Sequence, residues 1–139
     1  MKIKRLSNKE LRTLSRLILD YGMGFKKGDE VYSVEFNSVR GVVFEKKILF
    51  FYYNDEIVPS LHAIMLNSCN LKNVFVDMGA VRFVVNGADI MRPGIKDFDT
   101  GIVKDKFVVV RDINNEKPLC IGISLYSGVE IGNLTKGRV

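Results

Sequence analysis

The sequence has 139 residues, enough for one ordinary domain or two small ones. Hydrophobic residues make up 47% and charged residues 27%, values that exclude a disordered or fibrous chain. Net charge is +5 from 21 basic and 16 acidic residues, a bias that permits a nucleic-acid partner without demanding one.

Ile48 to Tyr53 is the longest apolar run, far short of the ~20 residues that span a bilayer. The start, Met1-Lys-Ile-Lys-Arg5, has basic residues with no apolar stretch behind them, so no signal peptide and no membrane partner are expected. Cys69 and Cys120 read as small buried residues in a reducing cytoplasm, and with His62 as the single histidine no zinc site is expected. No Gly-rich phosphate loop ends in Lys-Ser or Lys-Thr. No cofactor and no metal are expected.

The first element is a helix. Ser7-Asn-Lys-Glu10 has the form of a capping box, and Leu6 with Leu11 forms a hydrophobic staple. Leu11, Leu14, Ile18 and Tyr21 follow at helical spacing, with Leu17 widening the stripe and Gly22 as the end. Arg5, Lys9, Arg12 and Arg16 share another face of the pattern. This face reads either as a solvated surface or as a phosphate-facing stripe. After Lys26-Lys27-Gly28-Asp29 the pattern turns to strands. Val31 to Asn37 alternates with period two, and Gly41 to Phe44 and Ile48 to Tyr53 are rich in β-branched and aromatic residues. Asn54-Asp55 reads as a turn, Pro59 marks a strand end or an edge, and Leu61 to Leu66 reads as a short helix. His62 reads as an enclosed histidine between the halves. Asn67-Ser-Cys-Asn70 is a polar turn cluster separating residues 1–71 from 72–139. No Gly/Ser/Pro tether divides the two segments, so they are expected to pack closely.

Asn73 to Asp77 opens the second half as a strand. Val81 to Val85 before Asn86-Gly87 fits a strand entering a hairpin. The alternative is a short helix capped by Asp77 and ended by Gly87 at a left-handed position, although local propensity alone slightly favours the hairpin. Pro93-Gly94 predicts a type II turn with Gly94 at positive φ. Phe107 to Val110 and Leu119 to Ile123 are strands, separated by an Asn114-Asn115 turn. Asp97 and Asp99 read as solvated loop carboxylates rather than a catalytic pair.

Val76-Asp-Met-Gly-Ala-Val-Arg-Phe-Val-Val-Asn-Gly-Ala-Asp-Ile-Met-Arg-Pro-Gly-Ile95 resembles the signature of the PUA domain, a small RNA-binding pseudo-barrel. The resemblance continues through Lys106 to Asp112 and Pro118 to Gly122 to Lys136-Gly137. It implies that the segment before Gly87 is the helix. The first half, with its helix, strands and Val58-Pro-Ser-Leu-His62, resembles a pre-PUA domain. That pairing is similar to archaeal relatives of the malignant T-cell-amplified protein family. The eukaryotic members of that family pair with density-regulated protein and act at the small ribosomal subunit. The expected fold is therefore α+β: a small α/β pre-PUA domain over residues 1–71, then a PUA β-pseudo-barrel over 72–139. The family's last strand runs past the Lys-Gly. This sequence ends at Val139, so that strand is expected to be short.

The resemblance implies an RNA groove between the short helix, the Gly-rich loop after it and the last strand. Those places hold Arg82, Gly87, Ala88, Asp89, Met91, Arg92, Pro93, Gly94 and Lys136. Gly87 and Gly94 let a backbone approach closely. Arg82, Arg92 and Lys136 neutralise phosphates, and Met91 offers a base an apolar surface. Arg92 and Lys136 are expected to be exposed and dispensable for folding. Lys9, Arg12 and Arg16 form a secondary basic surface. The expected function is non-enzymatic RNA binding in translation, on a tRNA acceptor end or ribosomal RNA, with the small ribosomal subunit and a protein as further partners. The alternative is an accessory subunit presenting RNA to a separate modifying enzyme. A nucleotide- or RNA-acting enzyme lacks a nucleophile–base constellation here.

Overall fold

Three tight hairpins set the first half of the structure, a computed structural model that describes residues 1–66 and 69–139. Their two-residue turns are Asn37-Ser38, Glu45-Lys46 and Asn54-Asp55. Both residues of each have positive φ, from 48° to 67°. This is the turn sense that matches the right-handed twist of paired strands. The hairpins link β2 (Val31–Phe36), β3 (Val39–Phe44), β4 (Lys47–Tyr53) and β5 (Glu56–Pro59). With β1 (Lys2–Arg5) at one edge they form an antiparallel sheet in the order β1-β2-β3-β4-β5. Pro59 ends the edge strand β5, where its missing N–H costs no ladder bond.

Helix α1 (Asn8–Leu17) starts on the expected capping box: the Glu10 N–H donates to Ser7 Oγ, and the Ser7 N–H donates to Glu10 Oε1. The Ser7 N–H, the Ser7 hydroxyl and Lys4 at the Glu10 carboxylate hold it below its ordinary pKa. Leu11, Leu14 and Ile18 turn inward and are nearly fully buried, as are Val31, Val42 and Phe50 of the sheet. A 3-10 turn (Leu19–Tyr21) ends at Gly22, and the Tyr21 hydroxyl donates to the Ile57 carbonyl at 2.7 Å. Helix α2 (Leu61–Met65) is capped by Ser60, whose Oγ accepts from Ala63 N–H.

Several expectations need correction here. Arg5 is not on the helix but on β1, paired with Glu30 at 3.6 Å. The strand went unpredicted because all four residues are exposed and three are basic. A short, charged edge strand protects a sheet from pairing with other chains but carries no apolar alternation. Leu17 is 54% exposed, so the buried stripe is narrower than expected. Asn37 belongs to a turn rather than to β2. His62 is exposed on α2, not enclosed. Asn67 and Ser68 of the expected turn cluster lie outside the described residues.

Backbone contacts divide the chain into Met1–Asn70 and Leu71–Val139. The second unit holds β6 (Lys72–Val76), β7 (Ile95–Phe98), β8 (Phe107–Asp112) and β9 (Pro118–Ile123) in the order β7-β6-β8-β9. β6 and β8 are parallel and the other pairs antiparallel. Val74, Val76, Val108 and Val110 from the central strands pack with Val84, Ile95, Ile102 and Ile131 into one apolar cluster. Each such side chain contributes roughly 1.5–3 kcal/mol on full burial. Val84 comes from α3 (Val81–Val85) and Ile131 from α4 (Gly128–Asn133).

The sequence reading omitted α4, though Ser127-Gly-Val-Glu130 is a second capping box with both bonds made. Asp99 is not merely solvated. Its carboxylate accepts from the backbone and side-chain amides of Asn73, at 2.7 and 3.0 Å. Asp112 is buried and accepts from the N–H groups of Asn115 and Lys117, closing the β8–β9 turn. Among the described residues, no helix is long and apolar enough to cross a membrane.

Gly128 is the most closely packed glycine of the second unit. A Cβ there would collide with the carbonyl of Thr100 and stand 2.8 Å from the Asp99 carbonyl oxygen. Both obstacles are backbone, so neither moves easily. Gly128→Ala is expected to destabilise the second unit by about 3 kcal/mol, seen as a lower urea midpoint.

Candidate nucleic-acid interface

Helix α3 shows how local sequence builds one wall of a groove. Asp77 caps the preceding 3-10 turn (Met78–Ala80), its Oδ1 accepting from Gly79 N–H. At the other end Gly87 sits at φ 88°, with its N–H donating to the Val84 carbonyl and the Ala88 N–H to the Phe83 carbonyl. This is a Schellman closure, and it needs a residue at ease in the left-handed region. The helical reading of residues 81–85 is therefore borne out.

The groove beside this helix has a volume of about 440 Å³. Val84 and the Gly87-Ala88-Asp89 loop line one side, and Cys120 to Ile123 of β9 the other. Arg138 and Val139 complete it. A Cβ on Gly87 or Gly122 would meet nothing within 4 Å, so at both places bare backbone borders open space. Burial raises the pKa of the Cys120 thiol, which leaves the groove wall uncharged there. Its ionic groups are Arg138 and Asp89, with Arg138 Nη1 3.5 Å from Asp89 Oδ2 in a mostly exposed pair. The terminal residues do not form a strand. A single bridge joins Met91 and Arg138, flanked by bonds from the Arg92 N–H to the Gly137 carbonyl and from the Val139 N–H to the Ile90 carbonyl.

Of the nine expected site residues, the structure brings Gly87, Ala88 and Asp89 together in this groove. Arg82, Met91, Arg92, Pro93, Gly94 and Lys136 are outside its lining. Arg82 and Lys136 are exposed, Arg82 with its guanidinium 5.4 Å from the Phe83 ring centre. Met91 is half exposed. Pro93-Gly94 forms no type II turn. Arg92–Gly94 is a 3-10 turn and Gly94 has no positive φ, because the φ fixed by Pro93 also suits a helical turn.

Arg92 is the largest departure. It is half-buried rather than free in solvent. Its Nε donates to the Ile131 carbonyl at 2.9 Å and its Nη1 to the Ile95 carbonyl at 3.2 Å, with the guanidinium 5.5 Å from the Phe98 ring centre. The sequence reading missed Gly122 and Arg138. A glycine inside an apolar strand is a signal for close backbone approach, so Gly122 was detectable. Arg138 was not, because nothing local ties it to Asp89. Among the described residues, no group of three His, Cys, Asp or Glu is placed to hold a metal ion.

A family profile for the PUA domain matches residues 72–139, the unit that carries the groove. A hypothetical protein of Pyrococcus horikoshii of known structure is 32% identical, covering 99% of this chain and 90% of its own, with a TM-score of 0.82. The chain belongs to the PUA-domain proteins. An uncharacterized protein of Methanocaldococcus jannaschii is 37% identical over 97 residues, which are 70% of this chain and 60% of that protein. Translation machinery-associated protein 20 of Eremothecium gossypii is 33% identical over 98 residues, 66% of this chain and 54% of that protein. Malignant T-cell-amplified sequence 2 of Mus musculus is a further relative, in line with the resemblance read from the sequence. The matches span 60% or less of the lengths of these curated relatives.

The stabilities of four variants check the geometry of the PUA unit. Arg92→Ala is expected to cost about 2 kcal/mol, because two buried carbonyls lose a charged donor. Arg92→Lys should recover little, since an ammonium cannot reproduce the planar fork. Gly87→Ala should cost about 1 kcal/mol for its left-handed backbone. Gly94→Ala should stay within about 0.5 kcal/mol, since its Cβ would meet only Ala80 Cβ, at an ordinary 3.7 Å.

Proposed function

We propose that the chain is a non-enzymatic RNA-binding protein of the translation apparatus that takes structured RNA, a tRNA acceptor end or ribosomal RNA, in the groove of its PUA unit. The observation that carries this reading is the union of an apolar groove, bare backbone at Gly87 and Gly122, and a cation at the rim. A nucleotide with its base unstacked has an apolar face and an anionic edge, and the groove offers a surface for each. The names of the curated relatives support a place in translation. The small ribosomal subunit and a protein partner belong to the same reading.

Arg138 and Lys136 are the cations nearest in sequence to the groove's terminal wall. The Asp89 pair holds Arg138 in place at little energetic cost, because exposed pairs contribute about 0–1 kcal/mol. A phosphate therefore displaces Asp89 easily and gains a charge-assisted bond. On this reading Asp89 is a placeholder for the ligand rather than a ligand contact.

The test is binding of an RNA hairpin with a single-stranded 3′ tail, followed by fluorescence anisotropy at several salt concentrations. Lys136→Ala with Arg138→Ala should weaken binding and make the log–log salt slope shallower by roughly one unit per lost contact. Gly122→Leu places a side chain in open space within the groove. It should weaken binding while leaving the urea midpoint unchanged. Retained affinity in Gly122→Leu would place the RNA elsewhere. Capture of ribosomal subunits by the tagged protein supports the translation role, and capture of an RNA-modifying enzyme instead overturns it.

A further inference from the structure

We infer that the first unit carries a second RNA site, a phosphate-binding hollow made by Arg12, Arg16 and Lys27. This rests on the reading of the protein as an RNA binder but not on the groove. The hollow, of about 330 Å³, lies between α1 and the segment leading to β2. Asn8, Leu11, Ser15 and Phe25 complete its lining, and no acidic residue contributes to it.

The hollow is held in shape by its own backbone. The Phe25 N–H donates to Ser15 Oγ at 3.0 Å, and Ser15 Oγ in turn donates to the Phe25 carbonyl at 3.4 Å. This fastens the segment to the helix. Phe25 is anchored further by an edge-on contact with Phe44 at 5.2 Å. Lys27 then stands in a turn closed twice. The Asp29 N–H donates to the Lys26 carbonyl, and the Lys26 N–H donates to Asp29 Oδ2 at 2.7 Å. Gly28 takes φ 93°, the type II geometry that places Lys27 at the first corner. The lysine's backbone is fixed beside the arginines before any ligand arrives.

Charge identifies the ligand. Arg12 and Arg16 are four residues apart on one helix, an arrangement in which like charges repel. Three other cations of this unit are relieved by acids: Lys4 by Glu10, Arg5 by Glu30 and Arg40 by Asp55. Arg12, Arg16 and Lys27 are exposed and make no ion pair among the described residues. Three unrelieved cations around a hollow with no acidic residue fit a phosphodiester, for which two guanidinium forks supply in-plane donors. Lys9 of the expected basic surface is not part of it. It lines a different hollow with Glu10 and Thr13.

The experiment compares three variants of the full chain on the same tailed RNA hairpin. In the first, Arg12, Arg16 and Lys27 become Ala. In the second, Lys2, Lys47 and Lys104 become Ala, an equal loss of exposed charge. The third is Gly122→Leu. We expect the first to make the salt slope shallower by roughly two to three units, and the second by less than about one. Equal effects of the two triples would overturn the inference, since net charge alone would then explain them. If the first triple binds like wild type while Gly122→Leu abolishes binding, the second site falls and the groove stands. If Gly122→Leu binds like wild type while the triple weakens binding, the groove falls and this site stands. A wild-type chain that binds no RNA at low salt removes both. Titration with inorganic phosphate, read at the Arg12 and Arg16 Nε–H signals, adds the remaining check. Saturation by free phosphate without any effect of the triple on RNA affinity would mark an ion site and overturn the assignment to RNA.

Discussion

The groove of the PUA unit depends on a side chain that does not line it. Arg92 Nε and Nη1 hold the carbonyls of Ile131 in α4 and Ile95 in β7, while its N–H holds the carbonyl of Gly137. One residue thus joins a 3-10 turn, the last helix, an edge strand and the terminal segment that supplies Arg138. The Ile131 carbonyl lies in the last turn of α4, where it also accepts from the Leu134 N–H at 3.1 Å and keeps a second lone pair for Arg92. A planar cation reaches two such acceptors at once, which a lysine does not. On the proposed reading its value to binding is therefore indirect: it holds the terminal segment that carries Arg138 and Val139. An arginine beside Pro-Gly in an RNA-binding family is readily assigned to phosphate, and here the packing assigns it to the protein's own backbone.

How far the sequence could be read depended on whether a feature is local. The Ser7–Glu10 capping box, the stripe of Leu11, Leu14 and Ile18 and the Gly87 helix end are all decided within a few residues, and all appear in the structure. The Val81–Val85 segment is strongly β-branched, and the resemblance rather than its propensity pointed to helix. Packing of Val84 into the apolar cluster stabilises that outcome against local preference. Glu45-Lys46 is the opposite case. Neither residue favours positive φ, yet both adopt it because β3 and β4 must pair with the right twist. β1 was illegible because its hydrogen bonds to β2 join residues about thirty apart. Ser127–Glu130 was legible and went unread.

Candidate site residues divide in the same way. Gly87, Ala88 and Asp89 are adjacent in sequence and remain adjacent in the groove. Arg138 reaches Asp89 across 49 positions of chain, a contact that exists only after folding. Lys27 joins Arg12 and Arg16 only because Ser15 fastens the Phe25 backbone to the helix. The expected basic stripe was sought along one helix face. The structure instead divides it, leaving Lys9 with an acidic neighbour and giving the two arginines a lysine from a turn.

This division separates two physical tasks in RNA recognition. Phosphate contacts supply affinity that falls steeply with salt, whereas contacts to bases supply selectivity that ions screen less. A net charge of +5 on 139 residues is too small for a diffuse field to hold RNA at physiological ionic strength, where screening acts within about 8 Å. On the proposed reading, affinity comes from cations concentrated at short range, the Arg12, Arg16 and Lys27 cluster of the first unit. The groove is poorer in free charge, since Arg138 is already paired with Asp89. What it has in greater measure is uncovered backbone, at Gly87 and Gly122. On the proposed reading, the hollow on α1 governs how tightly RNA is held and the groove governs which RNA end is accepted. Rising salt should therefore erode the first contribution well before the second.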